Sequence, residues 1–112
     1  MEAKAVWKYA RVTPFKARAV ADLLRGKDLE EAYVVCQMLP RKASEMWRKV
    51  IDSAVANLKQ GVGDDLDVDQ VYLKAIWADK GPAWKRWLPR AQGRATRINK
   101  FTSHLSVVIA VR

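Results

Sequence analysis

Seven basic residues and no acidic one fall within positions 80–100: Lys80, Lys85, Arg86, Arg90, Arg94, Arg97 and Lys100. Trp84 and Trp87 are set among them. Cations neutralise phosphates and release their counterions, and tryptophan faces stack on unpaired bases for about 1–3 kcal/mol per base. The chemistry on offer is therefore the binding of a nucleic acid. RNA is favoured, because an extended basic arm with aromatics suits an irregular, single-stranded surface. The competing reading is a solvated basic loop whose tryptophans fold back onto the domain. It leaves an all-cationic loop uncompensated.

A second basic group consists of Lys8, Arg11, Lys16, Arg18, Arg25 and Lys27. Lys16 and Arg18 fall outside the apolar stripe of the helix expected there. They suit phosphates near that helix's N-terminus, where backbone amides also favour anions. Ordinary solvated surface explains the same residues equally well.

Sharper chemistry finds little support. The two short helices expected around Gly26 resemble a helix-turn-helix, but the second opens with Asp28, Glu30 and Glu31, where DNA contacts would have to form. Asp65-x-Asp67-x-Asp69 begins like a calcium loop, yet Gln70 replaces the required glycine and Ile76 the bidentate glutamate. Cys36 and His104 form a nominal nucleophile–base pair with no acidic group placed to orient the base. No set of ligands spells a metal site. No cofactor is expected, and no enzyme.

The bulk properties agree. A chain of 112 residues, half of them hydrophobic, is one domain with one core. The net charge of +9 is unevenly placed: residues 1–79 hold 13 Lys/Arg against 12 Asp/Glu, and residues 80–112 hold eight Lys/Arg and no acid. A merely solvated face would mix the signs. No apolar run reaches the roughly 20 residues that span a bilayer. The N-terminus lacks a signal-peptide layout. The single cysteine fits a reducing compartment, so an intracellular, soluble protein is expected.

The elements that must position these residues can be read from periodicity. Residues 4–9 are rich in β-formers and predict a first strand. Thr13-Pro14 predicts an N-cap with proline at the first helical position, Ala17, Val20, Ala21 and Leu24 give the buried stripe, and Gly26 the stop. Asp28 and Glu31 predict a capping box opening a second helix, lined by Leu29, Ala32, Cys36 and Leu39 and ended by Pro40. Ala43, Met46, Trp47, Val50, Ile51, Ala54, Val55 and Leu58 predict a third helix over 41–60, broken by Gly61-Val62-Gly63-Asp64-Asp65. Val71, Leu73, Ala75 and Trp77 alternate with Tyr72, Lys74, Ile76 and Ala78, which predicts a strand with one buried face. Phe101, Ser103, Leu105, Val107, Ile109 and Val111 are expected to share a face of the last strand. Residues 80–100 between these strands are too long for an ordinary loop. If their legs pair, they form an arm roughly 30 Å long. The expected fold is α+β: three helices packed on a small three-stranded antiparallel sheet, with a long projecting β-hairpin arm. It is a single domain, 1–112, with its body at 1–79 and 101–112 and its basic hairpin at 80–100.

Read in order, these segments resemble the ribosomal L22 family. The resemblance rests on Thr13-Pro14-Phe15-Lys16-Ala17-Arg18, Asp22-Leu23-Leu24-Arg25-Gly26-Lys27, Pro40-Arg41-Lys42-Ala43, Ser53-Ala54-Val55-Ala56-Asn57 and Leu66-Asp67-Val68-Asp69. Its most specific part is Gly81-Pro82-Ala83-Trp84-Lys85-Arg86-Trp87-Leu88-Pro89-Arg90-Ala91-Gln92-Gly93-Arg94-Ala95, followed by Thr102-Ser103-His104. It implies a structural protein of the large ribosomal subunit whose body binds 23S-type RNA and whose hairpin lines the nascent-peptide exit tunnel. The implied partners are that RNA, neighbouring large-subunit proteins and the nascent polypeptide, with no membrane and no small-molecule substrate. By position, Lys85, Arg86, Arg90, Gly93 and Arg94 belong to the arm, and Lys16 and Arg18 to the early basic motif. There are departures. Trp84 and Trp87 are bulkier than the residues usual there, Thr96 stands where an acidic residue is common and Phe101 where a basic one is, and residues 61–65 differ from the usual turn. The alternative outside this family is a free-standing architectural protein that inserts a β-ribbon into a nucleic-acid groove.

Overall fold

The computed structural model describes residues 2–62, 68–89 and 95–111, with the backbone alone at 62, 68, 84–89 and 95–99. Its elements run β1 (Glu2–Ala10), α1 (Pro14–Leu24), α2 (Leu29–Met38), α3 (Lys42–Val62), a short 3-10 turn at Val68–Gln70, β2 (Val71–Lys80), β3 (Trp84–Pro89), β4 (Ala95–Lys100) and β5 (Ser103–Val111). The body is a three-stranded antiparallel sheet in the order β1-β5-β2, and β3 with β4 makes a separate two-stranded ribbon. Helix α3 packs on β1 and β5, α1 on β2, and α2 on α3. This is the expected α+β arrangement, three helices on a three-stranded antiparallel sheet. The radius of gyration is 17.2 Å, against about 13 Å for a compact domain of roughly 100 residues. The molecule is elongated, 65 × 26 × 17 Å.

The apolar stripes became the core as the periodicity required. Ala17, Val20, Ala21 and Leu24 of α1 are buried, as are Leu29, Ala32 and Cys36 of α2 and Ala43, Met46, Trp47, Val50, Ile51, Ala54 and Leu58 of α3. Trp47 is the largest fully buried side chain among the described residues. An indole in a core needs a partner for its N–H, and Trp47 Nε1 donates to the Ala17 carbonyl at 3.0 Å, which ties α3 to α1. β5, the central strand, is buried on both faces: Leu105, Val107 and Ile109 on one, Ser106 and Ala110 on the other.

Helix α3 runs to Val62, within the expected breaking segment 61–65, whose residues 63–65 lie outside the described residues. Three local expectations need correction. Asp28 has the extended backbone of an N-cap but makes no side-chain cap bond, so the capping box does not close; a backbone bridge to Tyr72 holds it instead. Phe101 is not on the buried face of the last strand: it precedes β5 and is 39% exposed. The strict alternation in β2 also fails. Leu73 pairs with Ile109 and Ala75 with Val108, so β2 advances two residues while β5 advances one. This bulge at Lys74 switches the buried side from Val71 and Leu73 to Ile76 and Ala78, leaving Ala75 and Trp77 half-buried. An inserted residue inverts a period-two pattern, and nothing in the residue types marks the insertion.

Candidate nucleic-acid interface

The arm is a continuation of the sheet through a locked root. Lys80, the last residue of β2, pairs with Ser103, the first of β5. Just beyond, the Gly81 N–H donates to the Thr102 carbonyl at 2.9 Å, and the Thr102 hydroxyl donates to the Pro82 carbonyl at 2.5 Å. A Cβ on Gly81 would lie 2.6 Å from Thr102 Oγ1 and 3.2 Å from its carbonyl oxygen, so only glycine fits this approach. Thr102 and Ser103 are fully buried, and Ser103 Oγ donates to the Val12 carbonyl at 2.7 Å. The root is thus fastened both across the hairpin and to the turn that leads into α1.

Above the root, β3 and β4 pair antiparallel. Trp84 lies opposite Lys100, Lys85 opposite Asn99, Arg86 opposite Ile98 and Trp87 opposite Arg97. The register brings the acid-free stretch into a paired ribbon. Arg90 and Arg94 lie outside the described residues, as do the side chains of Lys85, Arg86 and Arg97 and the two arm tryptophans.

The early basic residues separate. Arg11 and Lys16 come to the arm's root. Lys8 lies instead with Lys49 along a shallow cavity of about 280 Å³ between β1 and α3. Arg18 Nε donates to the Ala78 carbonyl at 3.1 Å, and Arg25 donates to the Ile76 carbonyl at 3.0 Å and to Asp22 at 2.7 Å. Both arginines therefore cover the outer edge of β2, where unpaired carbonyls would otherwise invite another strand. The Leu73 N–H donates to the Lys27 carbonyl at 3.0 Å along that same edge.

A cavity of about 570 Å³ opens where three chain segments meet at the root. Arg11, Val12, Thr13 and Lys16 come from the β1–α1 turn and first helical turn, Arg41, Lys42 and Ala43 from the start of α3, and Lys100 and Phe101 from the end of the arm. Five of these nine residues are cationic, and no carboxylate is among the described lining residues. Local chemistry sets each wall. The Val12 N–H folds back on the Ala10 carbonyl at 2.8 Å, Thr13 Oγ1 accepts a long bond of 3.4 Å from the Lys16 N–H, and Pro14 opens α1. After Pro40, the Arg41 N–H returns to the Leu39 carbonyl at 2.8 Å and directs the chain into α3. The two described ion pairs, Arg25–Asp22 and Lys74–Glu2, lie elsewhere. The cleft's cations repel one another and attract an anion.

Sequence reasoning missed Arg41, Lys42 and Phe101 as part of this group. The signal for the pair was present, since adjacent basic residues after a helix-ending proline begin a new helix. Nothing in the sequence shows that this helix start meets the arm. The nominal Cys36–His104 pair is not assembled. Cys36 shares its surroundings with Tyr33, Arg48 and Asp52, and burial pushes its thiol pKa up. His104 contacts Tyr9 instead. No group of three or more metal-ligating side chains occurs among the described residues, and no helix among them is long and apolar enough to cross a membrane.

Residues 5–110 match the family described as ribosomal protein L22p/L17e. The chain is 53% identical to the large ribosomal subunit protein uL22 of Bdellovibrio bacteriovorus, over 97% of both chains. It is 50% identical to the uL22 of Desulfotalea psychrophila over 97% of both, and 46% identical to that of Syntrophobacter fumaroxidans over 98% of both. The chain therefore belongs to the ribosomal protein L22p/L17e family.

Proposed function

We propose that this structural, non-enzymatic protein of the large ribosomal subunit binds the subunit's RNA and extends its basic hairpin inward along the nascent-peptide exit tunnel. Lys80, Trp84, Lys85, Arg86, Trp87, Arg90, Arg94, Arg97 and Lys100 are its contacts along the arm, and Lys8, Arg11, Lys16 and Arg18 its contacts on the body. Neighbouring large-subunit proteins and the growing polypeptide are the other partners. The observation that carries this reading is the paired β3–β4 ribbon, built from a stretch with seven cations and no acid and fastened at a buried root. Such a ribbon can pass between RNA segments, neutralising phosphates on both sides, without exposing a core.

The test uses the intact subunit. Deleting residues 82–93 should leave the body able to enter large subunits, because the buried core does without them. Cross-linking from the protein to an arrested nascent chain should vanish. Full-strength cross-links from the shortened protein would remove the hairpin from the tunnel wall. Failure of the full-length protein to co-sediment with large subunits at moderate salt would overturn the ribosomal RNA reading altogether.

A further inference from the structure

We propose that the cleft at the root of the arm seats one unpaired nucleotide of the RNA, with its phosphates on Arg11, Arg41, Lys42 and Lys100 and its base against Phe101. The inference rests on the RNA-binding reading above and adds a place and a chemistry that net charge does not specify.

Charge selects the ligand class. Five cations from three separate segments surround one cavity, with no carboxylate among its described lining residues. Gathering like charges without compensation raises the energy of the empty cleft, and a polyanion lowers it. The N-terminal turns of α1 and α3 stand at the wall and add their dipoles in the same sense.

Shape and apolar surface select the nucleotide. Pockets of roughly 300–1,000 Å³ enclose ligands of this size, and the cleft's volume is about 570 Å³. A duplex carries its phosphates on convex ridges and keeps its bases stacked inside, so it cannot enter a concave cleft and reach an aromatic ring. An unpaired nucleotide can do both. Phe101, 39% exposed, stands beside Val12 and Ala43 in the lining, and a bare phosphate would gain nothing from that apolar wall.

The cleft is also held in shape. Thr102, directly after Phe101, is fully buried and bonded across the hairpin to Gly81 and Pro82. Ser103 fastens the opposite wall through the Val12 carbonyl. Phe101 is therefore presented from a fixed backbone, which reduces the ordering lost on binding.

The experiment uses the full-length protein and three probes: a single-stranded uridine nonamer, a ribose-phosphate oligomer of equal length without bases, and an RNA hairpin duplex. Amide resonances of Arg11, Lys16, Lys42 and Phe101 should shift with the nonamer, which should bind more tightly than either other probe. Phe101→Leu should weaken the nonamer about tenfold and leave the base-free oligomer unchanged, while Phe101→Tyr should keep the preference. Arg41→Ala with Lys42→Ala should weaken both single strands and lower the log–log salt slope by about 1.4, two phosphates' worth. All these side chains are exposed, and equal melting temperatures confirm folding.

Equal binding of the nonamer and the base-free oligomer by the native protein would reduce the cleft to a phosphate site and overturn the proposal. So would polyglutamate shifting the same amides at lower concentration, which would assign the cleft to an acidic peptide. Native affinity in the cleft variants, beside weak binding by Arg86→Ala/Arg90→Ala/Arg94→Ala, would sink the cleft and leave the ribosomal RNA reading standing.

Discussion

The backbone N–H of Tyr9 donates to Nδ1 of His104 at 3.1 Å, and their rings meet edge to face with centroids 4.9 Å apart. Between Trp7 and Ala10 the β1 strand advances three residues while β5 advances two, and Tyr9 absorbs the extra one at a positive φ of 60°. The imidazole supplies the acceptor that the interrupted ladder lacks, which requires Nδ1 unprotonated. The bulge turns the chain toward Arg11 and Val12, so this pair helps set one wall of the root cleft.

His104→Ala should therefore destabilise the protein by about 1–2 kcal/mol, one hydrogen bond plus one ring contact. Tyr9→Gly keeps the donor and accepts the positive φ without strain, so its cost should be smaller. Urea unfolding of both variants gives the comparison. An unchanged midpoint for His104→Ala would show that the contact carries no stability.

The bulge at Lys74 predicts an order of sensitivity that plain alternation would reverse. Ile76 is buried and Trp77 half-buried, with Lys4 5.3 Å over the Trp77 ring and Trp77 Nε1 donating to Asp79 at 3.2 Å. Ile76→Ala should cost about 2–5 kcal/mol through the cavity it leaves. Trp77→Ala should cost about 1 kcal/mol, the scale of exposed cation–π and polar contacts. Equal or reversed losses in chemical denaturation would mean that the bulge is misplaced.

Gly81→Ala tests the root of the arm. Its methyl would meet Thr102 Oγ1 at 2.6 Å, and Thr102 is a stiff, fully buried side chain already bonded to Pro82. A shift is forced, at about 1–3 kcal/mol for this kind of overpacking. Hydrogen exchange at the Gly81 amide should quicken alongside the fall in melting temperature. A variant with native melting and exchange would show that the root tolerates a side chain.

The region around α2 predicts alkaline sensitivity. Burial raises the Cys36 thiol pKa, with Asp52 adding to it and Arg48 opposing. Burial, then the 2.5 Å bond to Asp52, raises the Tyr33 phenol pKa well beyond its ordinary range. Both groups keep their protons in the folded protein where the unfolded chain releases them. Their contribution is full below the unfolded values, about 8.5 for Cys and about 10 for Tyr, and is lost as pH rises through the folded ones. The urea midpoint should fall between about pH 7 and about pH 10, and fall less in Cys36→Ser. Identical drops would show that thiol ionisation is not linked to folding.

Periodicity and charge determined a great deal by themselves. Helical stripes such as Ala17 to Leu24 and Ala43 to Leu58 had one way to bury their apolar faces, so the three helices and their inward sides were legible in residue spacing. The family followed from motif order, and the basic hairpin from a stretch without acids too long to be a loop. Tertiary structure decided what depends on which segments meet. The β2 bulge inverted a strand face because one inserted residue changes parity without changing composition. Arg18 and Arg25 bond to the edge of β2, and Arg11 and Lys16 join Arg41, Lys42, Lys100 and Phe101 at the root. A sequence records how many charges a chain carries, but contacts between residues 60 or 90 positions apart are set by how the sheet and helices close around one core.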